Sequence, residues 1–212
     1  MRKFAAYLIL ALSLLTIYGS AALTLVVKQE YEINAQIIVY SMIVNFMVMF
    51  VPAVLFVLLM YGEVWKKLYY RKEKALKSMI YGVLAAIAFM LITAVILYGI
   101  GYKEENPLAE EIGKSINIPL AFAISIMAAI NEETFFRSLI HMHLENKIGF
   151  IPASLISSFL FAMAHLEYQT FLQIIMPFIF GMILAFLIHK FHNVIAPMAA
   201  HFIYNFIALS ML

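Results

Sequence analysis

The chain has 212 residues, of which 65% are hydrophobic and 12% charged, with a mean hydropathy of +0.96. Apolar runs recur along its whole length, so it reads as a polytopic helical membrane protein; the formal charge of +2 decides little. Cysteine and aspartate are both absent, which excludes disulfides, thiol nucleophiles, thiolate metal sites and paired-aspartate intramembrane chemistry.

Met1-Arg2-Lys3 precedes an apolar run from Phe4 to Val27. Gly19-Ser20-Ala21-Ala22 loosely resembles a signal-peptide cleavage site, but the run continues past it and is long enough to span, so a retained helix is expected. A polar link, Lys28 to Asn34, leads to a second span over Ala35–Met60, with a kink expected at Pro52. The basic stretch from Trp65 to Lys74 reads as a cytoplasmic loop with an aromatic belt. Nucleic-acid binding would need a soluble basic domain around it, and there is none. A third span covers Lys77–Ile100. The following link carries Glu104, Glu105, Glu110 and Glu111, and Asn106-Pro107 is suited to start a short surface helix.

A fourth span begins at Asn117 and breaks at Glu145–Gly149. The fifth runs from Phe150 to His165, the sixth from Phe171 to His189 and the seventh from Val194 to Leu212. Short links at Leu166–Thr170 and Lys190–Asn193 make the last helices antiparallel neighbours. An inside N-terminus puts ten Lys and Arg residues in the cytoplasm and leaves only Lys28, Lys103 and Lys114 outside, with Arg137 in the membrane. The expected architecture is all-α: a single integral membrane domain over 1–212, with about seven spans, at most eight, and a cytoplasmic N-terminus.

Asn131-Glu132-Glu133-Thr134-Phe135-Phe136-Arg137 interrupts the fourth apolar run. Each charge at a bilayer centre costs roughly 2.5–3.5 kcal/mol on insertion scales, so such groups face the protein interior and serve a function. Glu133 and Arg137, four apart, stack on one face and can form an ion pair. Glu132 is turned about 100° away and has no sequence-local partner. Further polar groups are His165, and His201 with Asn205 on one face of the last helix. His141, His143, His189 and His192 fall at helix ends near the inner interface. The midpoint between Glu132 and His165 lies at Ile148–Gly149, so a hairpin closing there brings the two to similar depth. His201 is harder to place: by helix rise it sits about 10 Å above its inner turn, against about 24 Å for His165.

Glu-Glu-x-x-x-Arg at Glu132, Glu133 and Arg137, Phe-x-x-x-His at Phe161 and His165, and His-x-x-x-Asn at His201 and Asn205 occur in that order on successive hydrophobic helices. This ordered set resembles the type II CAAX prenyl endopeptidases, a family that also includes bacterial Abi (bacteriocin-processing and immunity) proteins. The resemblance covers residues 117–212. It implies an intramembrane glutamate protease of the cell membrane, without cofactor, acting on a membrane-associated peptide that is prenylated in the prenyl-processing members. Glu132 would be the general base on water, with His165 orienting that water. His201 and Asn205 would hold the oxyanion, and Glu133, Arg137 and Phe161 would order the site. Three other readings stand beside it: a zinc metalloprotease using one carboxylate and two histidines, a non-catalytic binding or bacteriocin-immunity protein, and a transporter.

Overall fold

The computed structural model describes residues 1–26, 33–102, 107–166 and 170–212. Lys28, Lys103, Glu104, Glu105 and the expected cap at Asn106 lie outside the described residues. The described residues are helical, without a strand: α1 (Arg2–Val26), α2 (Ala35–Met60), α3 (Val64–Lys67), α4 (Ala75–Gly99), α5 (Pro107–Ser115), α6 (Ile118–Ile148), α7 (Phe150–Met163), α8 (Leu172–Phe191) and α9 (Ile195–Ser210). Five of them, α1, α2, α4, α6 and α8, are long and apolar enough to cross a membrane. The expected fifth and seventh spans are the shorter apolar helices α7 and α9, of 14 and 16 residues.

The helix starts follow local chemistry. Asn34 accepts from the backbone N–H groups of Gln36 and Ile37, and Asn117 accepts from that of Leu120, so each caps orphan donors of the helix it precedes. Within α2 the backbone changes to i→i+5 bonding over Phe46–Phe50, just ahead of Pro52. Proline has no N–H to offer the carbonyl four residues back, which is that of Val48. Ser13 Oγ of α1 donates to that carbonyl, so the break in α2 is satisfied by its neighbour.

Two packed regions follow from the apolar faces. Ala6 and Ile17 of α1 and Ala53, Phe56 and Val57 of α2 meet Phe135, Phe136 and Phe161. Phe89 of α4 stacks on Phe180 of α8, beside Ala196 and Ala200 of α9. Helices in lipid gain from close backbone approach at small residues. Gly82 of α4 shows this: a Cβ there would lie 2.1 Å from the carbonyl oxygen of Ala196.

Gly149, with φ +83, makes the turn between α6 and α7 where the sequence places it. Phe136 meets Phe161 and His141 meets Ser157 across that hairpin. Phe150 against His189 and Ser158 against Gly181 set the antiparallel register of α7 and α8.

The turn between α8 and α9 is buried instead of exposed. Asn193 is 1% exposed and Val194 not at all. Asn193 Nδ2 donates to the carbonyls of Arg71 and Glu73, and the Val194 N–H donates to that of Tyr69. The basic stretch, expected as a plain surface loop, thus caps this turn. Its Leu68 is buried, and Tyr69, Lys74 and the turn residue His192 all adopt positive φ.

Candidate active site

Hydrogen bonding in α6 changes from i→i+4 to i→i+5 at Glu133 and stays so to His141. All nine side chains of this π segment are buried. Such segments are rare and occur frequently at functional sites. This one begins directly after Glu132, the last residue of the preceding α segment.

Glu133 is completely buried and has two partners. Its Oε2 is 3.3 Å from Arg137 Nε, the expected ion pair, and its Oε1 accepts from His201 Nδ1 at 2.7 Å. The second contact was not foreseen from the sequence. With Nδ1 donating to Glu133, Nε2 is the His201 nitrogen left toward Glu132, whose Oε2 lies 3.9 Å away. That separation is too long for a hydrogen bond. The Glu132 side chain keeps 16% of its surface exposed, against none for Glu133.

Phe161 supplies the floor between these groups. The Arg137 guanidinium sits 4.3 Å from its ring centroid, a cation–π contact inside the protein. The ring also touches His165 (4.8 Å) and meets His201 edge-on (5.7 Å). His165 Nδ1 donates to the carbonyl of Phe161 at 2.9 Å. The register of Phe136 with Phe161 continues toward Glu132 and His165, but the histidine placed beside Glu132 is His201. Asn205 lies one turn beyond His201 on the same helix and is half-buried. The expected mismatch in the depth of His201 closes, since its Nδ1 reaches Glu133 at 2.7 Å and the turn below α9 is itself buried.

A cavity of about 70 Å³ lies between α2 and α6, lined by residues that include Ile38, Met42 and Asn45 from one and Ile124, Met127, Asn131 and Glu132 from the other. Asn131 is 1% exposed, and its Oδ1 is buried without a hydrogen-bond partner. Thr134 donates to the carbonyl of Ile130 and accepts from the Tyr70 hydroxyl at 2.6 Å, which ties the basic stretch to the motif. Asn131 and Thr134 belong to the stretch noted in the sequence but were given no role there, and Asn45 and Tyr70 were not singled out. Asn45 carried a usable signal, a carboxamide inside an apolar run; Tyr70 carried none.

The expectation that His141 is an ordinary interfacial histidine is corrected. It is fully buried, with Nε2 3.0 Å from Glu145 Oε2 and Nδ1 facing Ser157. Glu145 also holds His189 at 2.6 Å and so ties α6 to α8. Among the described residues no group of three or more carboxylate and imidazole side chains is arranged to hold a metal ion.

Long apolar helices enclosing a carboxylate, an ion pair and histidines define an integral membrane protein with a buried polar site. Residues 114–207, just under half of the chain, match the family model described as type II CAAX prenyl endopeptidase Rce1-like. No match was found among curated proteins or among solved structures.

Proposed function

We propose that the protein is an intramembrane endopeptidase that hydrolyses a peptide bond of a membrane-associated, prenylated substrate, with Glu132 as general base. The observation that carries this reading is the division of labour between adjacent glutamates. Glu133 is buried and held by Arg137 and His201, while Glu132 keeps an accessible edge on the cavity and faces the free nitrogen of His201. In this reading Glu132 takes a proton from water as the water oxygen attacks the scissile carbonyl carbon. His165 orients that water. With His201 protonated on both ring nitrogens, its Nε2–H and the Asn205 amide N–H stabilise the oxyanion, a contribution worth about 3–4 kcal/mol per donor. Glu132 then passes its proton to the leaving amine as the C–N bond breaks. Glu133, Arg137 and Phe161 hold the geometry, and no metal takes part.

The same reading places seven crossings in the bundle, with α7 and α9 as short tilted spans, one integral domain over 1–212, the N-terminus in the cytoplasm and the protein in the cell membrane. Supporting it, the basic stretch, the α8–α9 turn and the Glu145–His189 pair lie at one end of the bundle. The test is cleavage of a fluorogenic farnesylated peptide by purified protein in detergent. Glu132→Gln, His165→Ala and His201→Ala each abolish cleavage while the protein stays folded, and chelators leave the wild type active. Full activity in the Glu132 variant overturns the assignment; loss on chelation with zinc-specific recovery favours a metalloprotease.

A further inference from the structure

The cavity between α2 and α6 ends on more than Glu132. Asn131 stands next to it, and Asn45 closes the facing wall, so two carboxamides and a carboxylate share a space with Ser41 and with apolar side chains such as Met42 and Met127. Each asparagine lies just ahead of a π segment, Asn45 immediately before Phe46–Phe50 and Asn131 two residues before Glu133–His141. Asn131 is 1% exposed, and its Oδ1 has no donor. A buried acceptor left unmade carries its full desolvation cost, so something that visits the site is expected to satisfy it.

The orphan atom is an acceptor, and that selects the ligand chemistry. An oxyanion, carboxylate or phosphate is repelled by it, whereas a neutral N–H is attracted. The cavity, at about 70 Å³, is several times the roughly 10–15 Å³ of such space that one water needs, and its walls are largely apolar. A peptide segment, with apolar side chains and one N–H per residue, fits both properties. We propose that Asn131 is a substrate-positioning residue: its Oδ1 accepts the backbone N–H of the substrate residue next to the scissile bond, fixing the carbonyl against the water held by Glu132. This rests on the peptidase reading above and adds a backbone contact to it.

The experiment uses a dye-labelled farnesylated peptide with three aliphatic residues after its cysteine, together with forms N-methylated at each backbone amide in turn. Binding is measured to full-length Glu132→Gln protein, to Glu132→Gln/Asn131→Leu and to Glu132→Gln/Asn131→Ser. The expected result is one amide position whose methylation weakens binding to Glu132→Gln at least tenfold and to both double variants less than twofold. A purely structural role for Asn131 produces no such coupling. If methylation is tolerated everywhere, or the same loss persists without Asn131, the clamp is overturned and water is left as the partner of Oδ1. Wild-type cleavage of the unmethylated peptide without coupling removes this inference alone. Absence of both cleavage by the wild type and binding by Glu132→Gln removes the peptidase reading as well.

Discussion

Glu133 accepts a hydrogen bond from His201 Nδ1 at 2.7 Å, so the glutamate pair on α6 and the histidine on α9 meet through the carboxylate that also holds Arg137. Removing one partner from a buried ion pair typically costs about 3–5 kcal/mol, because the other charge is stranded. Glu133→Leu, which strands Arg137, is expected to lose that much, read as a lower unfolding midpoint in detergent. Glu132→Gln removes no contact shorter than 3.9 Å and should lose activity with a stability change below about 1 kcal/mol. Equal destabilisation by the two would contradict the division between a holding and a working glutamate.

Phe161 touches Arg137, His165 and His201 with one ring. Phe161→Leu keeps the apolar volume but removes the cation–π contact, worth about 2 kcal/mol when desolvated. The expected outcome is a kcat at least tenfold lower with KM changed less than threefold, measured on the same farnesylated peptide. An unchanged kcat would show that the ring is packing only.

Gly82 has no room for a side chain, since a Cβ would fall 2.1 Å from the Ala196 carbonyl oxygen. Gly82→Ala must push α9 away from α4. Overpacking of this kind costs about 1–3 kcal/mol, and the displacement also moves His201. Activity should therefore fall further than in Gly99→Ala, where a Cβ meets nothing within 4 Å. Matching losses in the two variants would refute the prediction.

Tyr70 donates to Thr134 from outside the spans, and burial raises its hydroxyl above the ordinary tyrosine range, with the Thr134 bond partly opposing. A group whose pKa is raised by folding contributes stability that is complete below its unfolded value, about 10 for tyrosine, and is lost as pH climbs through the raised value. Tyr70→Phe is expected to cost about 0.5–1.5 kcal/mol at pH 7 for the lost bond. Above pH 10 it should lose less stability per pH unit than the wild type. Parallel alkaline unfolding curves would show that the hydroxyl is not held in the way described.

What the sequence disclosed and what it withheld divide along physical lines. Periodicity and charge cost located the helices, the Glu133–Arg137 pair and the hairpin at Gly149, because each depends on neighbours a few residues apart. The burial of Asn193 was not legible: hydropathy reports how apolar a segment is, and a polar turn docked on a loop looks the same as one in water. His141 was misread for the same reason, since its partners Glu145 and Ser157 lie partly on another helix. The choice of His201 as the histidine nearest Glu132 depends on how α9 leans across α6, and no local spacing encodes that.

The bond from the Val194 N–H to the Tyr69 carbonyl works as a depth gauge for the last helix. One residue of α-helix advances about 1.5 Å. A slip of α9 by a single residue is thus enough to carry His201 out of reach of Glu133. Seven residues before that histidine, the height of the helix is set by a segment outside the spans. Insertions or deletions between Tyr69 and Lys74 should therefore be read out in the membrane interior, at a side chain that the altered segment never touches.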